Sequence, residues 1–101
     1  MKLSHATLFA TGFLLAGPAA ADLKLAQKEG CLGCHTVDKK LVGPAWKDVA
    51  AKYKGDVTAE AKLVKKVREG GKGVWGDIVQ PPNNTTSDAD LKTLVKFILA
   101  M

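Results

Sequence analysis

Strand signals are missing from this chain. No run of residues alternates apolar and polar convincingly, and there is no internal repeat or low-complexity tract, which leaves an all-α class. Chemistry-bearing side chains are also scarce: 101 residues hold two histidines, two cysteines and two methionines. Positive charge is present but not concentrated. The formal net charge is +5, and Lys39-Lys40 and Lys65-Lys66 are the only adjacent basic pairs. Nucleic-acid binding wants a denser basic stripe with aromatics between, so that class is set aside. A solvated surface with a mild preference for acidic partners is the plainer reading.

The N-terminal stretch reads as a targeting segment. Met1-Lys2 is a minimal positive start, Leu3 to Ala16 is mostly apolar, and Gly17-Pro18 breaks the run ahead of Ala19-Ala20-Ala21. That order matches a secretory signal with an A-x-A cleavage site at residues 1–21. A membrane anchor is the competing reading, but the run is short for a span and no basic stop-transfer cluster follows. Cleavage after Ala21 leaves Asp22 to Met101 as an exported domain of 80 residues. Its only histidine is then His35, its only methionine Met101 and its only arginine Arg68. A core that size has little surplus stability, and such chains lean on a disulfide, a metal or a cofactor.

Four stretches of this one domain read as helix. Asp22 can cap LKLAQKE, which Gly30 ends. PAWKDVAAKYKG starts from Pro44 and stops at Gly55. DVTAEAKLVKKVREGG spaces Val57, Ala61, Val64 and Val67 helically, and Gly70-Gly71 terminates it. In SDADLKTLVKFILAM, Ser87 with Asp90 three residues on is a capping-box variant. Leu91, Leu94, Val95, Ile98 and Leu99 follow as an i, i+3, i+4, i+7, i+8 stripe. Residues 36–45 and 71–86 remain as two long ordered loops.

The chemistry sits at CLGCH, Cys31 to His35. In an exported protein the plain reading is a Cys31–Cys34 disulfide beside an incidental histidine. A C-x-x-C redox pair is a second, although its usual βαβ setting is missing. Zinc is a third, but the exported chain has only three good ligands where a structural site wants four. The fourth reading uses every residue, because C-x-x-C-H is the attachment signature of c-type haem: two thiols add across the vinyl groups and the histidine lies under the iron. Export places the apoprotein where haem is attached, and a small helical chain without an adequate core needs one.

With these residues the exported chain resembles a small bacterial class I cytochrome c of the c-551/c-552 (c8) type. GCLGCH is similar to the haem site of that family, LVGPAWKDVAAKY to the segment after it, and GVWG…PPN to its distal loop. The resemblance implies about four helices around one covalently attached haem c. Cys31 and Cys34 become the thioether anchors and His35 the proximal iron ligand. The Pro44 carbonyl accepts the His35 Nδ1–H, and Trp75 donates its indole N–H to a haem propionate. Lys66 stands where such proteins often carry an arginine near that propionate, and Asn83 is the amide beside the distal ligand. The family implies a soluble periplasmic monomer that is an electron carrier and not an enzyme.

One position departs from the pattern. The residue before the Pro81-Pro82 pair is, in the family, the methionine whose sulfur is the sixth iron ligand; here it is Gln80. A proline pair fixes φ twice and pushes the preceding residue out of the α region, so the loop is stiff and still presents a side chain. Four candidates for the sixth position remain: the Gln80 amide oxygen, water or vacancy, Lys72 after losing a proton, and Met101. Two functions follow. One is single-electron transfer between redox partners, those partners carrying acidic docking patches. The other is a haem with a labile sixth site that binds gases or peroxide. Against that second function, the exported chain has no second histidine to serve as general acid.

Overall fold

The computed structural model describes residues 18–101. Helix α1 spans Pro18–Lys28, a 3-10 turn covers Cys31–Gly33, α2 spans Trp46–Lys52, α3 spans Ala59–Glu69 and α4 spans Asp88–Leu99. Between α3 and α4 lies an antiparallel hairpin, β1 (Gly71–Gly73) and β2 (Gly76–Gln80), with Gly71 opposite Gln80, Gly73 opposite Gly76 and an irregularity between. Residues 1–17, which hold most of the expected signal segment, lie outside the described residues.

Helix α4 is the hub, packing against α1, α2 and α3. Its start is capped as the sequence indicates, the Ser87 hydroxyl accepting from the Asp90 N–H at 3.1 Å. Leu91, Leu94 and Val95 are buried, while Ile98 and Leu99 are only half-buried at the edge of the core. Leu94 joins Ala26 of α1 with Trp46 and Val49 of α2 in one cluster, and the half-buried Leu63, Phe97 and Met101 close around it.

Four expectations are corrected. Asp22 does not cap α1 but sits inside it, because the described helix already runs from Pro18. Helix α2 is shorter than the stretch from Pro44 to Gly55: Ala45 is its extended N-cap and Tyr53 its end. The apolar face of α3 is shifted, with Ala59 buried and Leu63 on the core, whereas Val57 is 97% exposed and Ala61 is exposed. The reason lies at Asp56, which bends residues 56–58 into a turn before the helix starts, so the phase is set from Ala59. Finally, the second long loop contains the β1–β2 hairpin, built from a glycine-rich run whose period-2 pattern is too short to read.

Asp56 anchors that turn. Its Oδ1 accepts from the Thr58 hydroxyl at 2.6 Å and the Thr58 N–H at 2.8 Å, and Oδ2 accepts from Lys62 Nζ at 3.2 Å. The Thr58 hydroxyl foremost, then its N–H and Lys62, hold the carboxyl down at about 2. A depressed carboxyl adds stability above the ordinary aspartate pKa and loses it as pH falls through the folded value. Acid titration of stability is therefore expected to decline between about pH 4 and pH 2. In Asp56→Asn that share of the slope disappears, and an unchanged slope counts against the turn. For the core, Leu94→Ala is expected to cost roughly 2–5 kcal/mol by denaturant unfolding. A cost near zero means the buried face has been misassigned.

Candidate haem site

The 3-10 turn brings the cysteines and histidine together. It opens after Gly30 in the left-handed region (φ 80°), and the N–H groups of Cys34 and His35 both donate to the Cys31 carbonyl, at 3.2 and 3.0 Å. Cys31 and Cys34 are not joined in a disulfide and stand half-buried on the wall of one cavity with His35. Burial pushes the Cys31 thiol up from its ordinary value, and the negative charge of Glu29 adds to the effect.

The loop that follows holds the imidazole. His35 Nδ1–H donates to the Pro44 carbonyl at 2.8 Å, which leaves Nε2 as the nitrogen with a lone pair to offer. The ring stacks on Trp46, with centroids 5.8 Å apart and planes 19° from parallel, and Trp46 is itself braced edge-on by Phe97. Gly43 closes the third side. A Cβ there would collide with Cε1 and lie 2.9 Å from both ring nitrogens, so any larger residue displaces the imidazole. Backbone, stacking and close contact thus fix one ring orientation.

The opposite wall is the hairpin. The cavity has a volume of about 640 Å³. The same cavity is lined by Val74, Trp75, Ile78 and Val79 of the hairpin and by Val42 of the preceding loop. All five are more than two-fifths exposed, and an apolar wall of that size calls for an apolar occupant. Gln80 ends β2 on the same cavity as His35. Gly70 permits this approach: it takes φ 73°, and a Cβ there would meet the Gln80 carbonyl and stand 2.8 Å from the Pro82 nitrogen.

The remaining expected residues fall as follows. Lys66 lines the cavity and reaches the base of the hairpin, its Nζ 3.1 Å from where a Cβ of residue 71 would be. Trp75 lies in the hairpin turn, with Lys52 Nζ 5.7 Å from its ring centroid. Asn83 lines the cavity too, but its amide serves the loop. Its Oδ1 accepts from the N–H of Thr85 and Thr86, and its Nδ2 donates to the Thr86 hydroxyl at 2.9 Å. Lys72 is on the cavity wall, whereas Met101 packs against the hydrophobic cluster beside α4.

Sequence reasoning missed Gly43, Trp46 and the set Glu29, Arg68 and Thr86. Gly43 precedes a proline and reads as loop, Trp46 reads as core, and Thr86 shows no pattern at all. Only Arg68 carried a signal, as the single arginine.

Two thiols and an imidazole on one turn, facing an apolar slot that a hairpin closes, fit a flat apolar macrocycle with iron at its centre, so haem is compatible with the residues present. The class is a small helical protein built around one prosthetic group. Residues 23–101 match the Cytochrome c family, and the chain belongs to it. It is 53% identical to cytochrome c-551 of Allochromatium vinosum over 91 residues, 90% of this chain and 97% of that one. It is 48% identical to cytochrome c-552 of Nitrosomonas europaea, over 94% of this chain and 92% of that one. The crystal structure of wild-type Nitrosomonas europaea cytochrome c552 superposes with a TM-score of 0.75 at 49% identity, covering 77% of this chain and 96% of that one. The protein is a small monohaem cytochrome c, an electron carrier and not an enzyme, with one covalently attached haem c.

Acidified organic solvent strips a haem held only by ligation and burial. Here it is expected to leave the haem on the chain, and to release it once Cys31→Ala and Cys34→Ala are combined. Extraction from the parent protein sinks the assignment of those thiols.

Proposed function

We propose that this cytochrome is exported to the periplasm, carries single electrons between partners with acidic docking patches, and works with a distal iron site that lacks the family's sulfur. The observation that carries the reading is the placement of Gln80 on the same cavity as His35, at the end of a strand and immediately before two prolines. When bound, haem supplies the one-electron chemistry and the protein supplies ligation, orientation and burial. Cys31 and Cys34 tether it by thioether bonds. His35 offers Nε2 to the iron, and its donation from Nδ1 to the Pro44 carbonyl raises the basicity of that nitrogen. Lys66 and Trp75 would hold the propionates, and Asn83 shapes the distal loop beside Gln80.

Gln80 offers an amide oxygen, a harder donor than a thioether. Sulfur favours ferrous iron and raises the potential, whereas amide oxygen favours ferric iron. Pro81 and Pro82 fix the backbone next to Gln80, so the loop loses little conformational freedom on binding. Export is supported by the targeting pattern of residues 1–21. Among the described residues no helix is long and apolar enough to cross a membrane. Of the 84 described residues, 14 are Lys or Arg and 10 are Asp or Glu, a mild excess suited to acidic partners. The chain is read as a monomer.

A second reading follows from the same residue. If the amide exchanges readily, the iron takes exogenous ligands, and the protein is a gas-binding or weakly peroxidatic haem protein. Rapid binding of carbon monoxide to the ferrous protein distinguishes it.

The ferric protein is expected to lack a sulfur-to-iron charge-transfer band and to have a midpoint potential well below that of Gln80→Met, measured by absorption spectroscopy and redox titration. Gln80→Ala is expected to bind carbon monoxide or cyanide faster than the parent. A sulfur band in the parent, or a Gln80→Ala protein with unchanged spectrum and potential, assigns the sixth ligand elsewhere.

A further inference from the structure

Gln80 is anchored from both sides, and the anchors are unlike. On its N-terminal side β2 pairs with β1, Gln80 opposite Gly71. On its C-terminal side come two prolines and then a short polar segment, Asn83 to Ser87, in which Asn83, Thr85, Thr86 and Ser87 are hydrogen-bonded. The Asn83 N–H donates to the Val67 carbonyl of α3 at 3.0 Å. Arg68 Nη1 donates to the Asn83 carbonyl at 3.0 Å and to the Thr86 carbonyl at 2.8 Å, and Nη2 donates to Asp88 Oδ1 at 2.8 Å.

Thr86 is the centre of this segment. It is the one buried polar residue among the described residues, at 3% exposure. Its hydroxyl donates to Glu29 Oε1 at 2.6 Å and accepts from Asn83 Nδ2, its N–H donates to Asn83 Oδ1 at 3.0 Å, and its carbonyl accepts from Arg68. Glu29 stands two residues before Cys31, so this hydroxyl ties the distal segment to the turn that bears the cysteines. Prolines lack N–H donors, so Pro81 and Pro82 cannot anchor themselves by donation and instead transmit whatever position Asn83 takes.

We infer that Arg68 is the positioning residue of the distal loop: by gripping two carbonyls just past the proline pair it keeps Gln80 over the haem and limits access to the iron. The guanidinium suits this because its fork addresses several acceptors in fixed directions, which an ammonium cannot. The two carbonyl bonds are part-buried and carry the grip. The Asp88 carboxylate is 95% exposed, and solvent screens that arm. The inference rests on the reading of Gln80 as the residue facing the sixth position.

The test uses the ferric holoprotein, with imidazole as the probe ligand and hydrogen exchange at the Asn83 amide as a readout that does not involve the iron. Arg68→Met keeps the apolar stem and removes the donors. Its imidazole association rate is expected to rise, and its Asn83 protection to fall, by about tenfold or more, the factor associated with losing one charge-assisted hydrogen bond. Arg68→Lys is expected to fall between parent and Arg68→Met, and Asp88→Asn to stay within about twofold of the parent. Should Arg68→Met not accumulate as holoprotein, Thr86→Val loosens the same segment and is held to the same outcomes. A lower melting temperature with Asn83 protection or imidazole rate unchanged overturns the inference, leaving Arg68 a structural residue only. Failure of the Gln80 reading shows separately, as a Gln80→Ala spectrum identical to the parent.

Discussion

Burial of the haem is the constraint on which the rest of this structure depends. Among the described residues nine apolar side chains are buried, and four of those are alanines, so the helices have little to bury against one another. Much of the larger apolar surface, from Val42 to Val79, instead faces a single cavity. The usual relation between core and site is thereby inverted. Here site and core are contiguous, with Trp46 of α2 and Ile98 of α4 lining the cavity while packing with the hydrophobic cluster. Covalent attachment suits such a design, since a core that could dissociate would take much of the hydrophobic stabilisation with it.

The His35 ring is held by rigid means. The Pro44 carbonyl, the Trp46 face and the missing side chain of Gly43 act on the imidazole from three directions, and each acts through backbone or through a braced ring. The distal side is held differently. A two-stranded hairpin is marginal by itself, and this one is rich in glycine with positive φ. Its position comes from what it is tied to: the close approach at Gly70 and the polar segment that Arg68 and Thr86 secure. With His35 held by its own contacts and the hairpin side held separately, the side chain at position 80 can change without disturbing the imidazole.

Gln80, immediately before the proline pair, stands on the hairpin side. The backbone features that aim residue 80 at the cavity, namely the strand pairing, the two prolines and Gly70, are independent of which side chain stands there. The side chain at position 80 can therefore change while the container stays intact. In the proposed reading, the chain retains the carrier's scaffold and shifts its poise.

Much of the site was legible in the residues themselves. C-x-x-C-H demands three side chains at fixed offsets, and any helical turn supplies them locally; Ser87 with Asp90, or Gly70 ending α3, are likewise decisions made within four residues. The apolar stripe of α4 could be read because its period is regular and its cap unambiguous. What escaped depended on contacts distant in the chain. The phase of α3 was set by an Asx turn at Asp56 that delays the helix, so Val57 reads as core and lies in solvent. The hairpin could not be read because its strands are three and five residues long and glycine-rich, and only the cavity gives them a face to cover. Thr86 looks like any loop threonine until the fold brings it against Glu29, 57 residues away. Local chemistry and periodicity are written in consecutive residues, whereas burial and long-range hydrogen bonding exist only once the chain has closed around its haem.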